Sequence, residues 1–533
     1  MASKMDSKQG DIGEKDVEVA QGHTTVVVNE EELEKTYHHK LDADDALDFF
    51  KAHGITSVSP EDDKRILRKI DMFLMPLMLI TNTLNFLDKN ALSNSVNFGL
   101  REDNHLVGNQ YSWASGSIFY LTYMVSQPLV SRCLQWFPVG KLLSVSVILW
   151  GAVLMTTAAT RSFAALMSVR AILGVFESVI NPTLMLMTAQ WYKRSEQPER
   201  VGWWFLGNAL GQVLGGIIGY GVGHINGGLD VGNWIWYFII FGAFTILYGF
   251  FLYFYIPDSP MTARWLSDRD RALALARVRL NRTGVMNHNF KWYQAKEALM
   301  DPQTWMLVII QFLTNVPSGG VASFGTQVIK GFGYSAINTT LLQMPLGVIQ
   351  GFTIIVGGIF TKYYKNGRWI VMVVTQIPAL VGAVLLYTLP SSEKNSRLAA
   401  YYVIQTHSIV SIMEYSMVTA NIAGTTKKTT TTALIFIAFC VGQVAAPQLF
   451  VSSESPRYPT AFKAAFSCFA LLIVLPPMFM IYLRRENQKR DQEFGKVELE
   501  PAAAEPAADG GAQPDEFFDL TDREQKEKFR YVY

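Results

Sequence analysis

The stretch Ser168–Arg200 reads SVRAILGVFESVINPTLMLMTAQWYKRSEQPER. It is an apolar helix of membrane length that ends in an aromatic pair and a charged segment. Four of its residues recur at steps of four, three and four and so share one helix face: Arg170, Gly174, Glu177 and Asn181. A charge that faces lipid is costly, so this face should meet protein or a water-filled cavity. A carboxyl group at such a depth indicates a transport site.

Composition indicates a polytopic membrane protein. Half of the 533 residues are hydrophobic, and the charged residues crowd into 1–70, 257–301 and 484–533. The net charge of +1 implies no nucleic-acid partner. The three cysteines form neither a metal-ligand spacing nor an evident disulfide pair, and no signal peptide is visible. No Ser–His pair, metal cluster or phosphate loop indicates an enzyme or a cofactor.

The first span must include charged residues. The apolar run Met72–Leu87 has about 16 residues, fewer than the roughly 20 that cross a bilayer. The helix should therefore continue through Asp88, Lys89 and Asn90 at membrane depth. Such charges are rare in membranes and are usually functional. The alternative is a pair at the helix end whose side chains extend to the headgroups.

Eleven further spans follow, with these approximate limits: 110–133, 141–160, 163–192, 200–224, 234–256, 303–328, 337–361, 368–389, 398–423, 430–451 and 461–483. The expected fold is an all-α membrane protein with twelve transmembrane helices in two pseudo-symmetric six-helix bundles, 66–256 and 303–483. A basic central loop, 257–302, joins them. Residues 1–65 and 484–533 are expected to be disordered cytoplasmic tails. Lys and Arg in the short loops place both termini in the cytoplasm.

Other polar residues inside the spans are candidates for a substrate site. Asn208 lies beside five glycines in span five that are each four residues apart. Asn315 opens NVPSGG in span seven, where Pro and Gly are expected to break the helix. Span ten carries a heptad stripe, and span eleven one amide: His407, Glu414, Asn421 and Gln443. Each of these could instead serve only helix packing or interhelical hydrogen bonding.

Several segments resemble the major facilitator superfamily, and within it the fungal anion:cation symporters of the allantoate permease group. They are FLDKN (86–90), GNQYSWASGSIFY (108–120), RAILGVFESVINP (170–182), IPDSPMTARWLS (256–267), NVPSGGVASF (315–324), NIAGTTKK (421–428) and the C-terminal DLTDREQKEKFRYVY. The resemblance covers nearly everything from Pro60 onward. It implies transport of allantoate, ureidosuccinate, a dipeptide, nicotinate, pantothenate or another organic acid.

The resemblance also implies roles for single residues. By position, Asp88 and Glu177 would be the proton-coupling carboxyl groups, and Lys89 the cation that binds the anion. Lys replaces the more common Arg, so a two-pronged hold on a carboxylate is not expected. Asn315 and Asn421 match polar positions of the group, whereas small or apolar residues would be expected at His407 and Glu414.

The resulting hypothesis is proton-coupled symport of a small organic anion by alternating access, by a monomer in the plasma membrane of a fungus. Its partners would be the anion, the proton and the lipid bilayer. One alternative is a carrier of a vitamin or zwitterion, such as nicotinate, pantothenate, thiamine or an amino acid. His407 and Glu414 would suit a cationic or dipolar substrate. The other alternative is a nutrient sensor that binds without transporting.

Overall fold

The computed structural model describes residues 59–193, 196–225, 232–279, 290–364, 366–495, 520–527 and 529–533. Within these ranges the regular elements are helices. Of the tail expected at residues 1–65, residues 1–58 lie outside these ranges, and the helix of span one already begins at Pro60.

The helices of the N-terminal half follow the expected order. Their bounds are Pro60–Ser95 for span one; Gln110–Ser112, a π-helical turn at Trp113–Ser117 and Ile118–Trp136 for span two; Val139–Thr156 for span three; Phe163–Glu177 and Ile180–Trp191 for span four; Gln197–Gly223 for span five; and Trp234–Tyr255 for span six.

Two short helices, Asp268–Arg279 and Trp292–Met300, lie in the central loop. The C-terminal half then comprises Pro302–Gly331 for span seven; Ala336–Leu341 and Met344–Tyr363 for span eight; Arg368–Thr388 for span nine; Lys394–Ile404, a 3₁₀ stretch Gln405–Ile409 and Val410–Asn421 for span ten; Thr425–Ala445 for span eleven; and Pro459–Phe494 for span twelve.

Among the described residues, 10 helices are long and apolar enough to cross a membrane. Spans two and ten are helical but are not among them. Both contain polar side chains, which lower the mean hydropathy of a stretch of membrane length. The count of twelve membrane crossings therefore stays a prediction.

The expected continuation of span one is confirmed, because its helix runs through Asp88 to Ser95. It begins earlier than expected, since the Ser59 hydroxyl accepts a hydrogen bond from the Asp62 amide at 3.1 Å and caps the helix at Pro60.

The expected break in span seven is wrong. One helix of 30 residues continues through Pro317. Neighbouring helices pack directly on this segment: a Cβ atom added to Gly319 would lie 2.8 Å from Ala446, and one added to Gly320 would lie 2.7 Å from the Phe450 ring. The interruptions occur instead in spans two, four, eight and ten.

The expectation of a disordered C-terminal tail is wrong for two parts of it. The helix of span twelve extends to Phe494. Residues 520–527 and 529–533 pack against the C-terminal half, where Thr521 and Asp522 are completely buried. Polar and charged contacts, rather than apolar surface, hold this segment, so hydropathy gives no sign of it.

Positive charge in the loops predicts which end of the bundle faces the cytoplasm, and we call that end the inner end. At the opposite, outer end, hydrogen bonds join the two halves. The Tyr111 hydroxyl donates to the Ser323 carbonyl at 2.7 Å, and the Ser117 hydroxyl donates to the Val444 carbonyl at 2.9 Å. These contacts close the outer end.

At the inner end, the central loop is tied to span one. Asp270 accepts a hydrogen bond from Lys69 at 2.6 Å and pairs with Arg65 at 2.9 Å. Burial opposes the ionised carboxylate, but these two cations outweigh it and hold the pKa of Asp270 below its usual value. The loop that joins the halves is thus anchored to the N-terminal half.

The glycine stripe of span five packs against span one. A Cβ atom added to Gly207 would lie 2.8 Å from the Leu79 carbonyl oxygen, and one added to Gly211 would lie 2.9 Å from that of Thr83. The two backbones therefore approach more closely than any side chain would allow. The expected close packing along this stripe is confirmed.

Gly211→Ala should lower the thermal stability of the detergent-purified protein. The added methyl group overpacks the contact with span one, which costs about 1–3 kcal/mol. Gly202→Ala is the matched control, because a Cβ atom there meets nothing within 4 Å. Removing a helical glycine in open space stabilises by roughly 0.5–1 kcal/mol. Equal melting temperatures for the two variants would contradict the packing argument.

Candidate functional site

A buried arginine occupies the centre of the N-terminal half. The π-helical turn Trp113–Ser117 in span two leaves carbonyl groups free of regular helical hydrogen bonds. Arg170 of span four donates from Nε to the Ala114 carbonyl and from Nη2 to that of Ser115, each at 3.2 Å. Its guanidinium carbon also lies 5.0 Å from the centre of the Phe119 ring. The charge is thus held at a fixed position among spans two and four.

Arg170 faces the carboxyl group of span one. Its Nη1 atom lies 3.9 Å from Asp88 Oδ1, and the indole of Trp150 in span three donates to Asp88 Oδ2 at 2.6 Å. Asp88 also interacts directly with Glu177. Both side chains are almost completely buried. Asp88 Oδ1 and Glu177 Oε1 have no N–H or O–H donor among the described residues.

Lys89 reaches this cluster through an amide. Its Nζ donates to Asn85 Oδ1 at 2.7 Å, and Asn85 Nδ2 donates to Glu177 Oε2 at 2.7 Å. Lys89 is therefore linked to Glu177 through Asn85, while Asp88 has Arg170 as its cationic neighbour. The two neighbouring side chains thus have different partners. Adjacent helix residues diverge by about 100°, so they face different neighbours.

A small cleft opens beside these charges, and both halves of the protein line it. Its walls include Lys89, Ser115, Phe119, Arg170, Ser323 and Gln443. Lys89 and Arg170 are cations, so this lining favours an anionic ligand.

On the C-terminal side, two of the candidate amides hydrogen-bond each other. Gln443 Nε2 donates to Asn315 Oδ1 at 3.1 Å, and Asn315 Nδ2 donates to the Gln311 carbonyl at 2.8 Å. Gln311 in turn donates to the Tyr415 hydroxyl at 3.2 Å. Gln443 lines the cleft, and Asn315 fixes the orientation of its amide.

Two further candidates in the N-terminal half link helices. Asn208 accepts a hydrogen bond from Asn82 of span one at 2.9 Å. Asn181 donates to the Tyr123 hydroxyl of span two at 3.3 Å. The Tyr123 ring lies 5.5 Å from that of Phe436 in span eleven, so Asn181 adjoins the boundary between the two halves.

The three residues of the stripe in span ten do not line one wall of the cleft. His407 contacts the Ile404 carbonyl at 2.7 Å and packs on the Phe469 ring. Both polar atoms of the Asn421 side chain bond the Val532 backbone at 2.7 Å. In this structure Asn421 therefore binds the C-terminal residues and not a substrate cleft, contrary to the prediction. Glu414 is completely buried, and its two carboxyl oxygens have no hydrogen-bond partner within the described part of the chain.

Three residues of the cluster were not among the expected site residues: Asn85, Trp150 and Arg170. Arg170 shares the helix face of Glu177, which was a usable signal. The indole of Trp150 and the amide of Asn85 carry no such signal, because aromatic and amide side chains are common in membrane helices.

The comparisons with known proteins agree with this architecture. A profile of the Major Facilitator Superfamily matches residues 78–447. The chain belongs to the major facilitator superfamily. It is 36% identical to an uncharacterized transporter of Schizosaccharomyces pombe over 93% of this chain and 90% of that protein. It is 33% identical to the allantoate permease of Saccharomyces cerevisiae over 92% and 90%, and 31% identical to that yeast's thiamine pathway transporter over 92% and 94%.

A solved structure shares the major facilitator fold. A bacterial homolog of the human lysosomal transporter Spinster, in an inward-facing and unoccupied conformation, superposes with a TM-score of 0.58. It covers 80% of this chain and 97% of that one at 15% identity. This protein is thus a multi-pass membrane transporter of the major facilitator superfamily, with an allantoate permease-like sequence.

Arg170→Lys should reduce steady-state uptake at least about tenfold while the protein stays folded. A lysine keeps the charge but cannot bond two carbonyl groups and face Asp88 at once, and an unpaired buried acceptor costs about 1–3 kcal/mol. Arg161→Lys is the control, because that exposed arginine also donates to two carbonyl groups. Normal uptake by Arg170→Lys, measured in proteoliposomes, would show that the two-point hold is dispensable.

Proposed function

We propose that this protein is a proton-coupled symporter of a small organic anion, such as allantoate, ureidosuccinate, a dipeptide or a related carboxylate. The observation that supports it best is the cleft, which two cations line beside a pair of buried carboxyl groups. Similarity to allantoate permease supports this substrate class. We assign the protein to the plasma membrane as a monomer, with both termini in the cytoplasm.

Asp88 and Glu177 are the proposed proton-binding groups. Two carboxylates at short distance repel each other, so one proton bound between them is strongly favoured. Each has one oxygen without a donor in the described residues, which a shared proton would supply. Arg170 neutralises the charge that remains on Asp88. Glu177 is then the carboxyl group whose charge changes during transport.

Lys89 is the proposed anion-binding cation. It is half-buried, lines the cleft and, among the described residues, hydrogen-bonds to the Asn85 amide. When Glu177 is protonated, its attraction for Lys89 through Asn85 disappears, and the ammonium group is free to bind a carboxylate substrate. Loss of the proton restores that attraction and expels the anion. Proton and substrate thus bind together, which is the requirement for symport.

Alternating access would follow from movement of the two halves about this cleft. With the outer end closed by Tyr111 and Ser117, substrate would leave toward the inner end. Opening the outer end requires those interhalf hydrogen bonds to break. The smooth glycine face of span five allows helices to shift against one another with little steric resistance.

Glu177→Gln should abolish uptake driven by a pH step while substrate counterflow continues. The amide resembles a protonated carboxyl group in shape, so the anion still binds, but no proton can be released. Uptake of labelled allantoate and related anions into proteoliposomes, with and without an imposed pH step, measures this. Glu102→Gln, an exposed residue at the outer end, is the control. Proton-driven accumulation by Glu177→Gln would remove its coupling role.

Lys89→Met should weaken anion binding about tenfold or more, because a neutral side chain of similar length replaces the charge. Ion-assisted hydrogen bonds of this kind contribute about 1.5–3 kcal/mol. Substrate protection of the purified protein against thermal unfolding gives the affinity without transport. Lys463→Met, an exposed residue at the outer end, serves as the control. Unchanged affinity in the Lys89 variant would reassign the anion site.

A cationic or zwitterionic vitamin is the second candidate substrate. Glu414 supports it, because this buried carboxyl group has no partner among the described residues, and so does similarity to a thiamine pathway transporter. A competition panel of allantoate, dipeptides, nicotinate and thiamine separates the two classes. Uptake of any of them into vesicles would also exclude a sensor that only binds.

A further inference from the structure

The C-terminal segment, defined here as residues 520–527 and 529–533, contacts the C-terminal half through a buried charge cluster. Asp522 Oδ1 lies 2.7 Å from Lys427 Nζ at the start of span eleven. The same ammonium group lies 2.8 Å from both Glu297 and Asp301. Lys427 and Asp522 are completely buried. Arg523 pairs with Asp301 at 3.0 Å and supplies a second cation to the cluster.

Side-chain amides bind the end of the segment as they would bind a peptide ligand. Asn421 donates to the Val532 carbonyl and accepts from its amide, each at 2.7 Å. Asn487 of span twelve makes the same pair of bonds to Tyr531, each at 2.8 Å. Both bond pairs recognise backbone groups, so they depend on the position of the segment rather than on its side chains.

Tyr531 connects the two ends of the segment. Its hydroxyl donates to Asp522 Oδ2 at 2.6 Å and accepts from Arg490 Nη2 at 2.6 Å. Burial and the Asp522 carboxylate raise the pKa of Tyr531, so its hydroxyl keeps the proton that it donates. Gly424 makes room for the segment: it has φ +87°, and a Cβ atom there would lie 3.0 Å from Thr521 Cγ2.

These contacts hold together the inner ends of spans seven, ten, eleven and twelve. This restraint matters most for span ten, because the 3₁₀ stretch Gln405–Ile409 divides that span into two α-helices. A 3₁₀ turn within a helix is a common place for pivoting. The inner half, Val410–Asn421, ends at the residue that the C-terminal segment binds. The segment therefore restrains the inner end of a helix that is divided by a 3₁₀ stretch.

Two features allow the segment to detach from the C-terminal half. Residues 496–519 separate it from span twelve, which gives it a long covalent tether. Its contacts are mainly ion pairs and hydrogen bonds, and Lys427 keeps Glu297 and Asp301 as partners when the segment leaves. A tethered ligand has an effective concentration of order 1 mM, so weak binding is enough to keep it in place.

We propose that the C-terminal segment is a releasable intramolecular ligand that stabilises the state in which the outer end is closed, and thereby slows transport. A ligand that binds one conformation more tightly shifts the population toward it by the difference in affinity. Restraining the inner half of span ten provides that difference. The inference rests on the protein being a transporter, but not on its substrate or on proton coupling.

The test is a protein that ends at residue 519, carrying Thr326→Cys as a reporter. Thr326 is completely buried and bonds Ser93 across the two halves at the outer end. A membrane-impermeant maleimide should label this cysteine at least about threefold faster in the shortened protein than in the full chain. The unsubstituted protein gives the background from the three native cysteines. Uptake should rise by a similar factor, and size-exclusion chromatography checks folding.

Adding back the segment separates regulation from structural support. A synthetic peptide of residues 520–533, supplied at about 1 mM to the inner face of the shortened protein, should return labelling to the slow rate. The same peptide with Asp522→Asn should not. In the full-length protein, Asp522→Asn should accelerate labelling, whereas Glu527→Gln should not, because Glu527 is exposed.

Equal labelling of the shortened and full-length proteins would overturn the proposal and leave the segment a packing element. So would faster labelling that the peptide does not reverse, since that indicates a loss of structural support. Labelling needs neither substrate nor proton gradient. An error in the proposed symport would therefore appear as absent uptake with the labelling response intact, and the two failures remain distinguishable.

Discussion

The structure depends on one buried guanidinium group, that of Arg170 in the N-terminal half. A buried charge is costly unless the protein supplies partners for it. The π turn of span two provides two carbonyl groups, and Asp88 provides the counter-charge. Each of these groups is costly to bury alone. Hydrogen bonds and charge pairing therefore hold spans one, two and four together, in addition to packing.

Close helix packing makes this arrangement possible. Gly174 lies one turn before Glu177, and a side chain there would collide with Thr122 and with the Phe119 carbonyl. Span four can thus press against span two and bring Glu177 to Asp88. Gly207 and Gly211 serve span one in the same way. The glycines thus allow the short distances between helices at which the charged residues can interact.

The two halves differ in how they handle polar groups. In the N-terminal half, cations and carboxyl groups form one connected cluster beside the cleft. In the C-terminal half, the Gln443 amide lines the facing wall and Asn315 orients it, while a buried charge cluster surrounds Lys427 at the inner end. This division suits a carrier in which the N-terminal half holds the groups whose charge changes, and the C-terminal half controls access to them.

The sequence by itself determined the class of the protein, the continuation of span one through Asp88, and the shared face of Arg170 and Glu177. These follow from the number of apolar residues that a bilayer requires and from helical periodicity, and both are local properties. The glycine stripe of span five indicated close packing for the same reason.

Only the tertiary structure decided which groups meet. Asp88 contacts Trp150 and Arg170, and Lys427 contacts Asp522, from positions far apart along the chain. Such pairings depend on how helices are ordered and rotated, which no local pattern records. The same is true of Pro317: whether it breaks span seven depends on the neighbours that support the helix around it. The docked C-terminal segment was unpredictable because its polar composition, read alone, is that of a solvated tail.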